Sequence, residues 1–480
     1  NIGINNRGHA ILPLLSLDLS RARPSCDSHK PSHLPAVSAY KRRKGKEKEM
    51  TNQRKLRRVL VIFILLILLI ASVPMFVMAK SQDAALDPDT EFYVAKRNQG
   101  AIEQIADLTA SGDKANADLV REMIETPQSV WFTKGTPMQT QQSVKNTVKR
   151  AAGKGTLPVL VAYNIPFRDC AQFSAGGATT VEEYTAWIDG FAAGIGDEPA
   201  LVILEPDGLG IIPWYTNIDG GLDWCQPSEA DPDTAAEERF YIMNYAVDAL
   251  KAQPNVSVYL DATHSAWLNV GDASQRLARA GVDRADGFYL NVSNYQFTAN
   301  SVKYGTWVSS CLAMGNFAGC PNQYWNGGPP TGWVGTAMDN YQEWRNEPYS
   351  GDPVDLAWNT VGIDDRYAGS NPTTHFVVDT SRNGVGPWDP SAGGYPDPQD
   401  WCNPPDRGLG LPPSSNTGDL LVDAYLWVKI PGESDGECTR GLGNAGEVVD
   451  PEWGLIDPPA GEWFPEMALD LVQNANPALD

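Results

Sequence analysis

The chain has 480 residues and a formal net charge of −22, with 59 Asp/Glu against 37 Lys/Arg. A balance this acidic repels phosphate backbones, which argues against nucleic acid as a partner and suits an uncharged ligand. The charge is unevenly placed: residues 1–79 hold 14 Lys/Arg against 4 Asp/Glu, and all 15 tryptophans follow them.

Residues 1–49 are basic, Pro/Ser-rich and weakly hydrophobic, a composition that predicts disorder or a misassigned start, with Met50 as an alternative first residue. Over 50–79, Arg54-Lys55-Leu56-Arg57-Arg58 precedes an apolar run from Val59 to Val73, interrupted by Ser72 alone, and Val77-Met78-Ala79 supplies small residues for cleavage. This is the layout of a secretory signal peptide and points to an extracellular protein. The competing reading is an uncleaved anchor through 59–79.

From residue 87 to 480, apolar runs alternate with amphipathic stretches. Expected strands are Val130–Phe132, Pro158–Tyr163, Leu201–Leu204, Val256–Leu260, Gly287–Val292, Phe376–Val378 and Ala424–Val428. Helical spacing covers Ala117–Glu125, Val181–Ala193 and Thr234–Ala252, the last with Phe240, Met243, Val247 and Leu250 on one side. Strands alternating with helices predict an α/β fold with a parallel sheet, closed or nearly closed into a barrel. Three long segments, 296–374, 384–418 and 436–460, lack periodicity and are expected as functional loops over one face. No Gly-rich dinucleotide fingerprint follows any strand, so no cofactor is expected.

Six cysteines lie beyond Cys26: Cys170, Cys225, Cys311, Cys320, Cys402 and Cys438. Downstream of a secretion signal an even count predicts disulfides, and six residues allow about 15 pairings. The five histidines and the missing Cys-x-x-Cys leave no zinc site, and no Asp-x-Asp-x-Asp-Gly loop offers calcium ligands.

The strand ends carry the chemistry. Tyr163 closes the second strand, with Arg168-Asp169-Cys170 in its loop. The third runs Leu201-Val202-Ile203-Leu204-Glu205-Pro206-Asp207, and the proline ends pairing so that two acids stand at the tip. Asp261 and His264 follow the fourth, Asn294 and Tyr295 the fifth, Asp379 and Arg382 the sixth, and Lys429, Glu433 and Asp435 the seventh. In a parallel barrel these tips share one rim. A single Asp there reads most simply as a loop residue or helix cap. Recurrence at successive tips favours a site whose crowded carboxylates raise one another's pKa. Trp131, Trp267 and Trp401 lie at or just beyond strand ends; any one could be core, but together with hydroxyl-binding polar groups they suit a neutral polysaccharide.

Val161-Ala162-Tyr163-Asn164-Ile165-Pro166-Phe167-Arg168-Asp169-Cys170 resembles the first signature of glycoside hydrolase family 6. The stretch around Glu205-Pro206-Asp207 resembles its second. Asp261-Ala262-Thr263-His264-Ser265-Ala266-Trp267, Asp379 to Gly384 and Lys429 to Gly436 are similar to three further family blocks. The resemblance covers 87–480. It implies a distorted, partly closed barrel of about seven parallel strands and a monomeric hydrolase inverting β-1,4 bonds of cellulose or soluble cello-oligosaccharides. It implies Asp207 as general acid, Asp169 as the group that raises the acid's pKa and assists water, and Asp435 as a disputed base. Asp261 would support the acid, and Tyr163 would lie under the distorted sugar. Trp131 and Trp401 would line glycone subsites and Trp267 a leaving-group subsite, while His264, Asn294, Arg382, Lys429 and Glu433 would hold hydroxyls or rim charges. Disulfides Cys170–Cys225 and Cys402–Cys438 are implied, leaving Cys311–Cys320 as an additional bridge. The long segments 296–374 and 436–460, with the ending Pro458-Pro459-Ala460-Gly461-Glu462-Trp463-Phe464, resemble the tunnel-forming cellobiohydrolases, which release cellobiose from the non-reducing end. An open-cleft endoglucanase and a non-catalytic glucan-binding protein remain the alternatives.

Overall fold

The computed structural model describes residues 86–321, 325–326, 336–337 and 361–479. The expectations for 1–49 and 50–79 lie outside the described residues, as does most of 322–360. Residues 80–480 form one compact unit. Its elements are α1 Gln99–Ser111, α2 Lys114–Glu125, β1 Val130–Phe132, α3 Pro137–Ala152, β2 Val159–Ala162, α4 Val181–Ile195, β3 Ala200–Leu204, α5 Ala235–Lys251 and β4 Val256–Asp261. They continue with α6 Val270–Arg279, β5 Gly287–Leu290, α7 Thr298–Met314, β6 Trp325–Asn326, β7 Thr336–Ala337, α8 Val361–Tyr367, β8 His375–Asp379, β9 Val422–Leu426 and α9 Pro465–Gln473.

Seven strands form one parallel sheet in the order β1-β2-β3-β4-β5-β8-β9, with Val161 opposite Ile203 and Ile203 opposite Tyr259. Both faces are buried, which explains why the strands read as continuous apolar runs rather than alternating ones. Val159, Val161, Tyr163, Leu201, Ile203, Tyr259, Tyr289, Val377 and Leu426 fill the concave interior. Leu160, Ala162, Val202, Leu204, Val258 and Val378 point outward into the helical layer. The two edges meet without a ladder: the Ser129 amide donates to the Trp427 carbonyl at 3.0 Å and the Trp131 indole to the Val428 carbonyl at 2.8 Å. The sheet is therefore a curled, partly closed barrel. A third apolar cluster joins α1, α2 and α9 through Ala101, Val120, Met123, Met467 and Leu471.

One expected loop is corrected. The described start of 296–374 is not irregular, because Thr298–Met314 is helix α7, ended by Gly315 in the left-handed conformation. Its buried residues are Asn300, Ser301, Tyr304, Gly305, Trp307, Val308, Ser309, Ser310 and Cys311. Asn, Ser and Gly are interleaved with the apolar residues on that buried side, so hydropathy shows no clear stripe. Gly305 is required there, since a Cβ would sit 2.5 Å from the Phe376 ring. Tyr304, Trp307 and Val308 pack into the outer helical layer, so α7 is the crossover between β5 and β8 rather than a cover for the rim.

Among the described residues, no helix is long and apolar enough to cross a membrane. Disulfides join Cys170 to Cys225, Cys311 to Cys320 and Cys402 to Cys438.

Candidate active site

A cleft of about 680 Å³ crosses the C-terminal ends of the strands. Left-handed backbone gathers there at non-glycine residues: Phe167, Asp169 and Cys170 after β2, Glu205 and Asp207 after β3, Thr263 after β4, and Asn291 and Ser293 after β5. Each such residue costs on the order of 1–3 kcal/mol and persists only where surrounding contacts dictate it.

Those contacts come from three buried carboxylates beneath the floor. Glu205 is fully buried, and its Oε2 accepts the amides of Asn164 at 2.8 Å and Ile165 at 3.0 Å, fixing the β2 tip. Asp261 accepts the amides of Leu209, Gly210 and Thr263 at 3.1, 3.0 and 2.8 Å, fixing the chain after β3. Asp379 accepts the amides of Ser293, Ser381, Val428 and Lys429, tying three loops together. Burial raises Glu205 to about 7 and Asp261 to about 6, against the pull of those same amides.

Asp207 faces the cleft from the β3 tip. Burial first, then repulsion from Asp261, Asp169 and Asp435, pushes its carboxyl well above the ordinary range. Asp169 follows β2 and also lines the cleft; its carboxylate accepts the Ser174 amide at 2.6 Å, and burial raises it to about 6. Asp435 is set differently. Its Oδ2 accepts from Arg382 at 2.8 Å, Tyr295 at 3.1 Å and the Asn403 amide at 3.1 Å, and its Oδ1 lies 3.3 Å from Lys429 Nζ. Burial opposes its charge, but Arg382 and Lys429 overcome that and hold it below its ordinary value. The site thus sets Asp207, which keeps its proton more strongly than an ordinary carboxyl, against Asp435, which gives its proton up more readily than one.

Of the expected residues, Trp131, Tyr163, Asp169, Asp207, His264, Trp267, Asn294, Trp401, Lys429, Glu433 and Asp435 line this one cleft. Two do not: Asp261 is buried under the segment that follows β3, where it accepts the Leu209 and Gly210 amides, and Arg382 is buried behind Asp435. Arg382 cannot act as a rim charge. It donates to Asp435 and to the Ser293 carbonyl and lies 4.3 Å over the Tyr295 ring, and the ion pair keeps it in. Trp131 packs edge-on to Tyr163 at 5.4 Å, and Trp401 lies 5.9 Å from Phe173.

Asn403 escaped the sequence reading. Its side chain accepts the Asp435 amide at 2.7 Å and donates to Asp457 at 2.9 Å, so it orients the Asp435 loop from behind. Its only signal was its place beside Cys402. Cys438, Asp450 and Asp457 cluster nearby, but Cys438 is in a disulfide and Arg440 pairs with Asp450 at 2.7 Å, so these groups do not make a metal centre.

A cleft of acids and tryptophans over the C-terminal ends of a parallel barrel is the site of a carbohydrate-acting α/β-barrel hydrolase. The chain belongs to the glycosyl hydrolases family 6, whose model matches residues 87–475. It is 33% identical to endoglucanase A of Cellulomonas fimi over 81% of this chain and 62% of that protein. It is 30% identical to a probable 1,4-β-D-glucan cellobiohydrolase C of Neosartorya fischeri over 74% of this chain and 71% of that one. The chain spans 62% and 63% of the length of the Cellulomonas and Thermobispora bispora endoglucanases it matches. Among solved structures it is similar to the endoglucanase Cel6 of Mycobacterium tuberculosis, solved with methyl-cellobiosyl-4-deoxy-4-thio-β-D-cellobioside. That match has 32% identity and a TM-score of 0.55 and covers 80% of this chain and 97% of that one.

Proposed function

We propose that this protein is an extracellular cellulase that hydrolyses β-1,4-glucosidic bonds with inversion, releasing cellobiose from the non-reducing chain end. The observation that carries the reading is Asp207, a buried carboxyl whose proton is retained by burial and three neighbouring acids inside a tryptophan-lined cleft. Asp207 donates that proton to the glycosidic oxygen as the C1–O bond breaks. Water attacks C1 from the opposite face, its hydroxyl forming the new bond and its other proton passing towards Asp169. With its basicity lowered by Arg382 and Lys429, Asp435 is suited to stabilising positive charge on the sugar rather than to accepting a proton. Tyr163 lies at the floor where the distorted sugar would sit, between Trp131 and Arg168. Secretion through 50–79 agrees with three disulfides, which persist outside the reducing cytosol.

Exo action is supported by the C-terminal loop, since Ala460 and Gly461 line the cleft and the Ser434 amide donates to the Glu462 carbonyl at 2.8 Å. Endo action is the second reading, favoured by the 33% identity to endoglucanase A. Asp207→Asn tests the chemistry: hydrolysis of crystalline cellulose should fall by at least about 10²-fold, and near-normal turnover refutes the assignment. On the unsubstituted protein, dominant cellobiose with little viscosity loss of carboxymethylcellulose supports exo action, whereas a rapid viscosity drop supports the second reading.

A further inference from the structure

Among the described residues, several large apolar side chains are left exposed, and Trp224 is the one of them that lines the cleft. We propose that Trp224 is an additional sugar-binding platform that stacks on a distal glucosyl unit of a longer chain, beyond the unit met by Trp267; this rests on the cellulase reading above. The residue is 53% exposed, although burying its indole would gain more than burying almost any other side chain. The backbone beneath it, by contrast, is anchored on both sides. Cys225 is bonded to Cys170, and its carbonyl accepts the Trp214 amide at 2.9 Å. The Asp223 amide donates to the Tyr215 carbonyl at 2.7 Å, and its carboxylate meets Arg276 at 2.9 Å.

Arg276 joins this platform to the rest of the wall. It is almost fully buried and also donates to the carbonyls of Leu209 at 2.9 Å and Gly210 at 3.2 Å, just after Asp207. Gly210 in turn lies against the Trp267 ring, where a Cβ would come within 2.8 Å. The loop is also held to the start of α6, where Asp272 accepts the Ile218 amide at 3.3 Å. Trp224 and Trp267 therefore stand on the β3–β4 side of the cleft, on one frame. Trp131 and Trp401 stand across it, the former on β1 and the latter on the loop between β8 and β9. A rigidly mounted, solvent-exposed indole at a cleft wall offers an apolar face to sugar C–H groups at little ordering cost on binding. Nothing about it needs a charge on the ligand, which fits a neutral glucan.

The test compares chain lengths. In the Asp207→Asn background, which slows turnover, calorimetric affinities for cellotriose and cellohexaose are measured with and without Trp224→Ala. Loss of one stacking contact should weaken cellohexaose by about five- to tenfold, leave cellotriose unchanged, and be largely restored by Trp224→Phe. Unchanged cellohexaose affinity, or equal weakening of both ligands, overturns the platform. Failure of Asp207→Asn itself to bind any cello-oligosaccharide would instead overturn the cellulase reading. Thermal melting of each variant keeps the comparison to folded protein, and Trp224→Gln, which removes the ring but keeps side-chain bulk, serves if Trp224→Ala does not fold.

Discussion

Replacing Arg382 by Met removes one half of a buried ion pair and leaves the other half in place. The guanidinium is fully buried, donates to Asp435 Oδ2 at 2.8 Å and to the Ser293 carbonyl at 2.7 Å, and lies 4.3 Å from the Tyr295 ring centre. Stripping one partner from such a pair costs about 3–5 kcal/mol, because the remaining charge is stranded in a medium of low dielectric. Here Lys429 stays 3.3 Å from Asp435 and offsets part of the loss. The cost should therefore fall at the lower end, about 3 kcal/mol, in urea unfolding at pH 7. Folded proteins commonly hold about 5–15 kcal/mol, so the variant remains folded. The pH dependence gives a second readout. Asp435 is held below its ordinary value of 3.8, so its ionisation stabilises the native protein above that pH. That contribution is lost as pH falls through the lowered folded value, and Arg382→Met should shrink it. A loss below about 1 kcal/mol, the magnitude of an exposed pair, with unchanged acid sensitivity, would refute the clamp.

Asp169→Asn should lower kcat by about 10²-fold or more. Because burial raises Asp169 to about 6, the native enzyme should lose activity as pH falls through that value, and Asp169→Asn should abolish this acid limb; a retained limb assigns it elsewhere. Glu205 is raised from 4.5 to about 7, so the folded state holds its proton longer than the unfolded chain and stability declines as pH rises across that window. Glu205→Gln, which can still accept the two amides, should flatten the decline in thermal melts between pH 4.5 and 7, and an unaltered slope contradicts it. Joint replacement of Cys402 and Cys438 by Ser should cost about 2–4 kcal/mol and reduce activity through the adjoining Asn403–Asp435 contacts; full activity would show that the bridge does not support the site.

The sheet was legible because each strand is buried on both faces, so runs such as Val159 to Ala162 and Ala200 to Leu204 stand out as unbroken apolar segments. Their tips were legible for the opposite reason: acids and a proline end those runs abruptly. Helix α3 was missed because Pro137-Met138-Gln139-Thr140-Gln141-Gln142 puts little apolar signal before Val144, although Thr136 and Gln139 form a capping box. Helix α7 was missed because Ser, Gly and Asn make up much of its buried face. In the site, residue types predicted the cleft but not depth. Asp261 and Arg382 carry the same charges as rim residues, and only tertiary contacts put them beneath the floor. Asn403 meets Asp435 across a separation of 32 residues that includes strand β9, a pairing that no local pattern encodes.

The central claim is that Asp207 delivers a proton while water attacks from the opposite face. Its most direct test is proton NMR of fresh hydrolysate, recorded before mutarotation, from cellohexaose or cellulose. The account predicts that the newly formed reducing ends are α-anomers at the earliest times and drift towards equilibrium. β-anomers at the outset would mean retention through a covalent intermediate, and would contradict the roles given to Asp207 and Asp169.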